Sequence, residues 1–380
     1  MVSRLNSVKT SFFGRGAVRL LGPELKKMNI HRALVVTDPF LYKSGAADYV
    51  GRALEEAGIG YAVFHQVQPN PTVDVVNQCI LAARTLAVDL LVAVGGGSAI
   101  DTAKATSIVV ANGGRVEDYE GVNKSARPGL PIVAVNTTAG TGSECTTFYI
   151  VTDPSRRTKM AMVDPNCMVT VAVNDIELMM SMPPKLTAST GLDALTHAVE
   201  AVLAKGATPL TDRDALWAIR TVWTWLPEAV RDGKNEEARE QMAYAEYVAG
   251  MAFSNAGLGM VHAMAHALGG YSNLPHGVCN AVLLPFVTAF NASASAEVRA
   301  RIPRIAEAMR LRDSRPETLV DALKTRAADL GITPSLRAVG GVTPDAFGAL
   351  ADLALHDACM ADNLITPTRE QVIQVYRDAY

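Results

Sequence analysis

Histidines and one aspartate recur at helical spacing in the C-terminal half of the chain. Asp193 and His197 lie four residues apart in GLDALTHAVE, and His262 and His266 repeat that spacing in VHAMAHAL. Residues four apart project from one face of a helix, so each pair can offer two donor atoms to one ion. His276, in the sequence PHG, is expected in a turn that leaves the direction of its ring open.

Each of these elements also has a more ordinary explanation. An Asp–His pair on a helix is more often a surface pair or a cap, and a histidine on an apolar helix is usually a hydrogen-bonded core residue. Three such elements together are harder to explain in this way, because every buried imidazole needs polar partners. Nitrogen and oxygen donors without sulfur suit iron(II), zinc, manganese or cobalt, and spacing does not choose among them.

A glycine-rich turn in the N-terminal half is typical of a phosphate-binding site. The apolar run 90–94 leads directly into GGGS at 95–98, and a helix is predicted to follow. Glycines let the backbone approach a ligand closely, and the free N–H groups at a helix N-terminus favour a diphosphate. A second turn of small residues, 137–143, follows the next predicted strand and is expected to line the same crevice. The alternative is an ordinary strand-to-helix turn with Ser98 as the N-cap.

Asp38 directly follows the predicted strand 33–37. At that position a carboxylate can accept hydrogen bonds from an adenosine ribose and repel a 2′-phosphate, which favours NAD over NADP. Taken alone, Asp38 before Pro39 is as typical of an ordinary turn. Together with the two turns of small residues, Asp38 predicts dinucleotide binding.

The elements that must position these residues divide into an α/β half and a helical half. Short continuous apolar runs alternate with helical patterns up to about residue 180, and such runs suit strands buried on both faces of a parallel sheet. A breaker, Met182-Pro183-Pro184, precedes a segment with helical periodicity only. We therefore predict a Rossmann-like α/β domain over 1–181 and an all-α domain over 182–380.

The individual elements follow from the same patterns. The predicted strands are 33–37, 61–64, 90–94, 131–135, 148–151, 160–163 and 169–173. The predicted helices are 46–57, 72–86, one starting near 99, 185–204, 212–230, 236–254 and 260–269, with several more after 298.

Composition limits the class of protein. The 380 residues, of which 49% are hydrophobic, suit a globular chain of two domains. A net charge of −3 without a basic run gives no general attraction to nucleic acid or anionic lipid. The five scattered cysteines form no CxxC pair, which argues against disulfides and thiolate zinc sites. Without an apolar leader or an uninterrupted apolar stretch of membrane-spanning length, we expect a cytoplasmic protein with no membrane or nucleic acid partner.

These motifs resemble the signatures of the iron-containing (group III) alcohol dehydrogenases. The resemblance rests on GGGS at 95–98, NTTAGTGSE at 136–144, GLDALTHAVE at 191–200 and the histidine segment 257–277. It extends from residue 11 to the end of the chain, and the histidine segment is its most specific part. Within the family the chain most resembles the lactaldehyde reductase (1,2-propanediol oxidoreductase) branch, with 1,3-propanediol, methanol and butanol dehydrogenases nearby.

The resemblance implies an N-terminal Rossmann-like domain, a helical C-terminal domain and a cleft between them for cofactor and metal. It implies NAD, a divalent metal that is iron(II), with zinc as the alternative, an alcohol or aldehyde substrate, and a homodimer or larger homo-oligomer. The implied metal ligands are Asp193, His197, His262 and His276. The implied cofactor contacts, taken with the turn residues Gly96 and Thr137, are Asp38, Asn70, Gly97, Ser98, Asp101, Thr138, Thr141 and Lys159.

His266 matches a family histidine close to the nicotinamide. It either relays the proton of the alcohol, as imidazole titrates in the working range of pH, or orients a metal ligand. The implied pocket residues for the substrate are Phe148, Phe253 and Cys359. Phe148 stands where the propanediol branch typically carries Asn, and an aromatic there favours simpler, less polar alcohols.

Two other classes of protein share parts of this pattern. A metal- and NAD-dependent lyase of the dehydroquinate synthase type has this architecture but must bind a phosphorylated, carboxylated sugar. Few basic residues lie close to the histidines within 185–280, which favours a small neutral alcohol. A non-catalytic assembly subunit would be free to lose a histidine, so the complete set argues against that class.

Overall fold

The computed structural model describes residues 4–333 and 335–380, and the chain forms two compact units. Asn6–Pro154 and Met160–Ser181 form the first, here called the α/β unit. Ser155–Lys159 and Met182–Tyr380 belong to the second, here called the helical unit. The main division therefore lies between 181 and 182, where the domain boundary is predicted, but the short segment around Lys159 belongs to the helical unit.

Nine strands occur in the described part of the chain. They are β1 (Thr10–Phe13), β2 (Arg32–Thr37), β3 (Gly60–Phe64), β4 (Leu90–Gly95), β5 (Gly121–Val122), β6 (Ile132–Asn136), β7 (Phe148–Asp153), β8 (Thr158–Val163) and β9 (Val171–Asn174). Six form a parallel sheet in the order β1-β9-β6-β4-β2-β3. The other three form a separate sheet in the order β5-β8-β7.

Helices accompany the parallel strands of the α/β unit. They are α1 (Leu21–Leu25), α2 (Pro39–Lys43), α3 (Ala46–Glu56), α4 (Val73–Thr85), α5 (Gly97–Asn112) and α6 (Ile176–Met179). Every residue of β4 and β6 is buried, which explains the continuous apolar sequences of these strands. The predicted α/β class and parallel sheet are confirmed.

Two features of the α/β unit differ from the prediction. The prediction does not include strand β1, which pairs with β9 in parallel at the edge of the main sheet. The predicted strands 148–151, 160–163 and 169–173 belong to two sheets, because β7 and β8 lie in the small sheet while β9 inserts between β1 and β6. Local sequence patterns identify strands but do not say which sheet a strand joins.

The helical unit contains helices and short turns in its described residues beyond Met182. The helices are α7 (Pro184–Leu203), α8 (Pro209–Arg231), α9 (Glu236–Ala256), α10 (Met260–Ser272), α11 (His276–Ala294), α12 (Ala296–Ala308), α13 (Pro316–Asp329), α14 (Leu336–Val339), α15 (Phe347–His356) and α16 (Arg369–Asp378). Helix α7 packs on α8, α9 and α11, and α10 packs on α11 and α15. Helix α11 is absent from the sequence-based prediction.

Helix α11 is also the one helix in the described residues that is long and apolar enough to cross a membrane by length and composition. In the folded chain, 61% of its most apolar window is buried inside the protein. An apolar helix that is covered by its neighbours on most sides is typical of a protein core.

Candidate metal centre and cofactor site

Helix α7 supplies two of the predicted metal ligands from one face. Asp193 and His197 are one turn apart and are only 2% and 4% exposed. The ring of His197 stacks on two others, with its centroid 4.4 Å from that of Phe253 and 4.5 Å from that of His262. The neighbouring rings therefore fix the plane of the His197 imidazole.

The other two predicted ligands come from α10 and α11. His262 lies in the first turn of α10, and His276 is the first residue of α11. The expectation that His276 lies in a free turn is wrong, because the helix holds its backbone. Gly277 allows the close approach of α11 to α7, because a Cβ there would lie 2.3 Å from the carbonyl oxygen of Ser189 on α7.

The four predicted ligands converge. Their donor atoms all lie within 4.8 Å of one another. The Oδ1 atom of Asp193 is 3.9 Å from Nε2 of His262 and 3.6 Å from Nε2 of His276. Donors that bind one ion at about 2.1 Å in tetrahedral geometry are roughly 3.4 Å apart. Only a small inward adjustment of the side chains is therefore needed for a shared ion.

The contacts of Asn280, one helical turn after His276, indicate whether the four predicted ligands could hold a cation. Its amide nitrogen is 2.6 Å from Oδ1 of Asp193, 3.0 Å from Nε2 of His262 and 3.2 Å from Nε2 of His276. An amide carries two N–H donors, fewer than these three acceptors. The Nδ1 atom of His276 and Oδ1 of Asn280 are buried without a hydrogen-bond partner. Oδ1 of Asp193 and the Nε2 atoms of His262 and His276 thus surround the Asn280 amide nitrogen, whose two N–H groups cannot satisfy all three, so a lone pair is left that could bind a cation.

Burial shifts the protonation of two members of this group. It raises the pKa of the Asp193 carboxyl, against the opposing effect of the nearby His262 ring. Burial, followed by the positive charge of Lys159, holds the pKa of His276 well below its usual range. The His276 ring is therefore neutral at neutral pH and keeps a lone pair for a metal.

Two buried carboxylates bind the Nδ1 atoms of the α10 histidines. The Oε2 atom of Glu200 is 2.6 Å from Nδ1 of His262, and Oδ2 of Asp357 is 2.8 Å from Nδ1 of His266. Burial alone would raise the pKa of Asp357, but the adjacent His266 ring and hydrogen bonds hold it below its usual range. Neither carboxylate is among the predicted site residues, although Glu200 follows Asp193 by seven residues on the same helical face.

The predicted substrate-pocket residues belong to different units. Phe253 is 3% exposed and stacks on His197, and the buried Cys359 offers its sulfur within 4.8 Å of donor atoms of His266 and Asp357. The structure thus brings these two residues to the histidine cluster. Phe148 begins β7 and is half-buried.

The predicted dinucleotide site lies at the point of the main sheet where the chain changes direction. From β2 the chain first adds β3 on one side and later β4 on the other, so β2 and β4 are neighbours at a topological switch point. Asp38 follows the carboxyl end of β2, and Gly96 and Gly97 follow that of β4. Crevices at such points bind ligands in open α/β sheets.

Glycines are required where the two predicted turns meet. A Cβ on Gly96 would lie 2.6 Å from Oγ1 of Thr138, and one on Gly97 would lie 2.9 Å from Cγ2 of Thr141. The backbone N–H of Thr137 also donates to the carbonyl of Gly95, at 3.2 Å. The turns are therefore in contact, as expected for two loops that line one crevice.

The alternative in which Ser98 is the N-cap of α5 is wrong. Helix α5 begins at Gly97 with Gly96 as its N-cap, so Ser98 lies inside the first turn, where its carbonyl accepts from the hydroxyl of Thr102. Glycine at the cap supplies no side-chain acceptor. The free N–H groups of the first turn are thus left for another acceptor.

Asp101 and a neighbouring lysine organise the second turn. The two oxygens of Asp101 accept from the hydroxyl of Ser143, at 2.6 Å, and from the backbone N–H of Ile150, at 3.0 Å. The fully buried Lys104 donates to the carbonyls of Ser143, at 2.6 Å, and Phe148, at 2.7 Å. Asp101, predicted as a cofactor contact, therefore holds the turn in place through both oxygens.

The remaining predicted cofactor residues are placed as follows. The Oδ1 atom of Asp38 caps α2 by accepting from the backbone N–H groups of Phe40 and Leu41. Asp38 therefore forms the ordinary turn that was the alternative to cofactor binding. Asn70 has a left-handed backbone, with φ of 57°. Lys159 lies in the helical unit against α10, where a Cβ on Gly269 would be 2.7 Å from its Cε.

Two family models match almost the whole chain. The model described as iron-containing alcohol dehydrogenase matches residues 9–176, and that described as the C-terminal part of the Fe-containing alcohol dehydrogenase family matches residues 187–380. The chain belongs to the iron-containing alcohol dehydrogenase family.

Relatives and a solved structure agree along the full length. Alcohol dehydrogenase 4 of Schizosaccharomyces pombe is 45% identical, with 97% of this chain and 87% of the relative covered. The NAD-dependent methanol dehydrogenase of Bacillus methanolicus is 43% identical, with 97% of each covered, and the lactaldehyde reductase of Escherichia coli is 41% identical, with 100% of each covered. A crystal structure of 1,3-propanediol oxidoreductase superposes with a TM-score of 0.95 at 39% identity and covers 100% of both chains.

Membership of the iron-containing alcohol dehydrogenases decides between the classes that the sequence left open. The chain is an enzyme, an iron-type alcohol dehydrogenase, as predicted, and the lyase and the non-catalytic subunit are not supported. The cluster of one aspartate and three histidines in the helical unit is a candidate metal site of the kind that the family name implies.

Proposed function

We propose that this dehydrogenase uses NAD and a divalent metal to interconvert a short-chain alcohol or diol, such as 1,2-propanediol, and its aldehyde, such as lactaldehyde. The observation that carries the proposal is the convergence of Asp193, His197, His262 and His276 within 4.8 Å. We propose iron(II) as the metal, with zinc as the alternative, since the donor set contains nitrogen and oxygen but no sulfur. Methanol, 1,3-propanediol and butanol are the alternative substrates.

The proposed site for NAD is the crevice at the carboxyl ends of β2 and β4. The first turn of α5 offers free N–H groups to the diphosphate. Asp38 keeps one carboxylate oxygen beyond the one that caps α2, and its charge disfavours a 2′-phosphate. The proposed contacts are Asp38, Asn70, Gly96, Gly97, Ser98, Asp101, Thr137, Thr138, Thr141 and Lys159.

The cofactors supply the chemistry of the reacting bond: the bound cation acts as a Lewis acid on the substrate oxygen, and NAD takes up or returns the hydride. The protein supplies position and proton transfer. Asp193 brings the one carboxylate charge among the four ligands, and the amide of Asn280 fixes its Oδ1 atom. The rings of Phe253 and His262 stack on that of His197 and reduce its contact with water.

We assign the proton transfer to His266. With Nδ1 donating to Asp357, its Nε2 carries a lone pair that can accept the proton of the alcohol. The ring of His266 also stacks on that of His276, with centroids 5.2 Å apart, so the alternative role of orienting a ligand stays open. Among the pocket residues, Phe148 in place of a polar side chain favours the less polar alcohols. We further propose a homodimer or larger assembly in the cytoplasm.

The proposal is tested by mixing the iron-loaded protein with NAD and 1,2-propanediol and recording the NADH absorbance band. Methanol, butanol and 1,3-propanediol serve as alternative substrates. His262→Ala is expected to lose both metal and activity, because a ligand is removed. His356→Ala removes an exposed histidine of the same unit and is the matched control. Absence of NADH with every alcohol, or full metal content in His262→Ala, would contradict the proposal.

A further inference from the structure

We propose that Glu200 is a positioning residue of the metal centre, which fixes the His262 ring so that Nε2 is the nitrogen available to the ion. This inference rests on the proposed function, because it assigns a role toward the metal. Glu200 is 4% exposed and lies on α7, two turns after Asp193 and on the same face. One helix thus carries both a ligand and the partner of another ligand.

The contacts of Glu200 are more numerous than a single ion pair would need. Its Oε2 atom is 2.6 Å from Nδ1 of His262 and accepts from the backbone N–H groups of Gly259, at 3.1 Å, and His262, at 3.4 Å. Its Oε1 atom accepts from the N–H of Val261, at 2.7 Å. The N-terminus of α10 has no side-chain cap of its own, since its N-cap is Gly259. Glu200 therefore caps α10 from another helix and holds its histidine at the same time.

The sequence at 259 is adapted to this contact. A Cβ on Gly259 would lie 2.9 Å from Oε1 of Glu200 and 2.9 Å from Oδ1 of Asn363. A side chain at 259 would therefore require Glu200 or Asn363 to shift. The close approach of these two side chains explains the glycine.

The hydrogen bond decides which nitrogen can bind a metal. A carboxylate accepts only, so Nδ1 of His262 carries the proton and Nε2 keeps its lone pair. That lone pair points toward Oδ1 of Asp193 and the amide of Asn280. Carboxylates that hold ligating histidines in this way also raise the basicity of the ring, and their loss typically weakens metal binding about 10- to 100-fold.

Two variants separate the charge from the contact. Glu200→Gln keeps the volume and one acceptor oxygen but removes the negative charge, whereas Glu200→Ala removes both. With zinc as the probe, the dissociation constant is expected to rise about 10-fold in Glu200→Gln and about 100-fold in Glu200→Ala. In the metal-free protein, long-range ¹H–¹⁵N NMR is expected to show the His262 proton on Nδ1 in the wild type and on Nε2 in Glu200→Ala.

Asp175→Asn is the matched control for the loss of a buried carboxylate that caps another segment. Asp175 is fully buried in the α/β unit and accepts from the N–H groups of Gly16, at 3.0 Å, and Val18, at 3.1 Å. This variant is expected to lower the melting temperature without changing zinc affinity.

The outcomes distinguish this inference from the proposed function. Unchanged zinc affinity in both Glu200 variants, or a His262 proton on Nε2 in the wild type, would overturn the role of Glu200 and leave the metal site standing. Failure of the wild type to bind zinc or iron would instead refute the proposed function, while the NMR result still decides whether Glu200 sets the tautomer. If Glu200→Ala does not fold, Glu200→Gln and the wild-type NMR spectrum decide.

Discussion

His262 and His266 are the same residue type on the same helix, yet their surroundings differ, and so do the roles proposed for them. Nε2 of His262 is 3.9 Å from Oδ1 of Asp193, among the proposed metal ligands, whereas the cluster that includes His266 contains Asp357 and Cys359. Each Nδ1 atom binds a buried carboxylate. The function of an imidazole is thus set by the partner of each nitrogen, which spacing along a helix cannot reveal.

Asp38 gives a prediction at the scale of one residue. Asp38→Asn keeps an oxygen that can cap α2 but removes the charge, so the ratio of kcat/KM with NAD to that with NADP is expected to fall at least about 10-fold. Asp38→Gly is expected to have the same effect, since glycine at an N-cap costs only a few tenths of a kcal/mol. An unchanged ratio in both variants would remove Asp38 from the ribose site.

Local spacing in the sequence predicts some side chains of the candidate metal centre, but not those that reach it from distant parts of the chain. Asp193 and His197 are one helical turn apart, so a periodic pattern reveals them. Glu200 and Asn280 act on residues 62 and 87 positions away, a proximity that only the packing of α7, α10 and α11 creates. No pattern in a single sequence predicts such contacts.

At the scale of the elements, the central strands could be predicted from the sequence, but edge strand β1 and helix α11 could not. Strands β4 and β6 are continuous apolar runs because both of their faces are covered. Edge strand β1 is half-buried along its length, so its sequence carries a weaker pattern. Helix α11 was missed because it starts directly after Pro275 and contains Pro285, two residues that usually mark breaks.

The contact between the two turns gives a prediction at this scale. Gly96→Ala places a methyl group 2.6 Å from Oγ1 of Thr138 and must move the second turn. KM for NAD is expected to rise at least about 10-fold, with a stability loss of about 1–3 kcal/mol as for other overpacked sites. Metal content is expected to stay unchanged. Gly60→Ala, where the nearest atom is 3.9 Å away, is the control.

Steady-state kinetics and urea unfolding measure these effects. An unaltered KM for NAD in Gly96→Ala would show that the packed turns are not part of the cofactor site. An equal change in Gly60→Ala would point to a general effect of added methyl groups on the sheet.

At the scale of the whole molecule, most residues predicted to bind NAD lie in one unit and those predicted to bind the metal lie in the other. The described residues of the α/β unit carry the switch point and the two turns, and those of the helical unit carry the ligand cluster and Lys159. The α/β class and helical half followed from changes in periodicity along the chain. The assignment of 155–159 to the helical unit did not, because this segment interrupts a β-rich stretch without any local signal.

The central claim is that one aspartate and three histidines of the helical unit hold a single divalent cation. Anomalous diffraction from crystals of the iron-loaded protein, recorded on both sides of the iron absorption edge, tests this claim most directly. We expect one peak per chain at about 2.0–2.2 Å from an oxygen of Asp193 and from the imidazole nitrogens of His197, His262 and His276. A peak elsewhere in the chain, or coordination of the ion by a cysteine sulfur, would contradict the account.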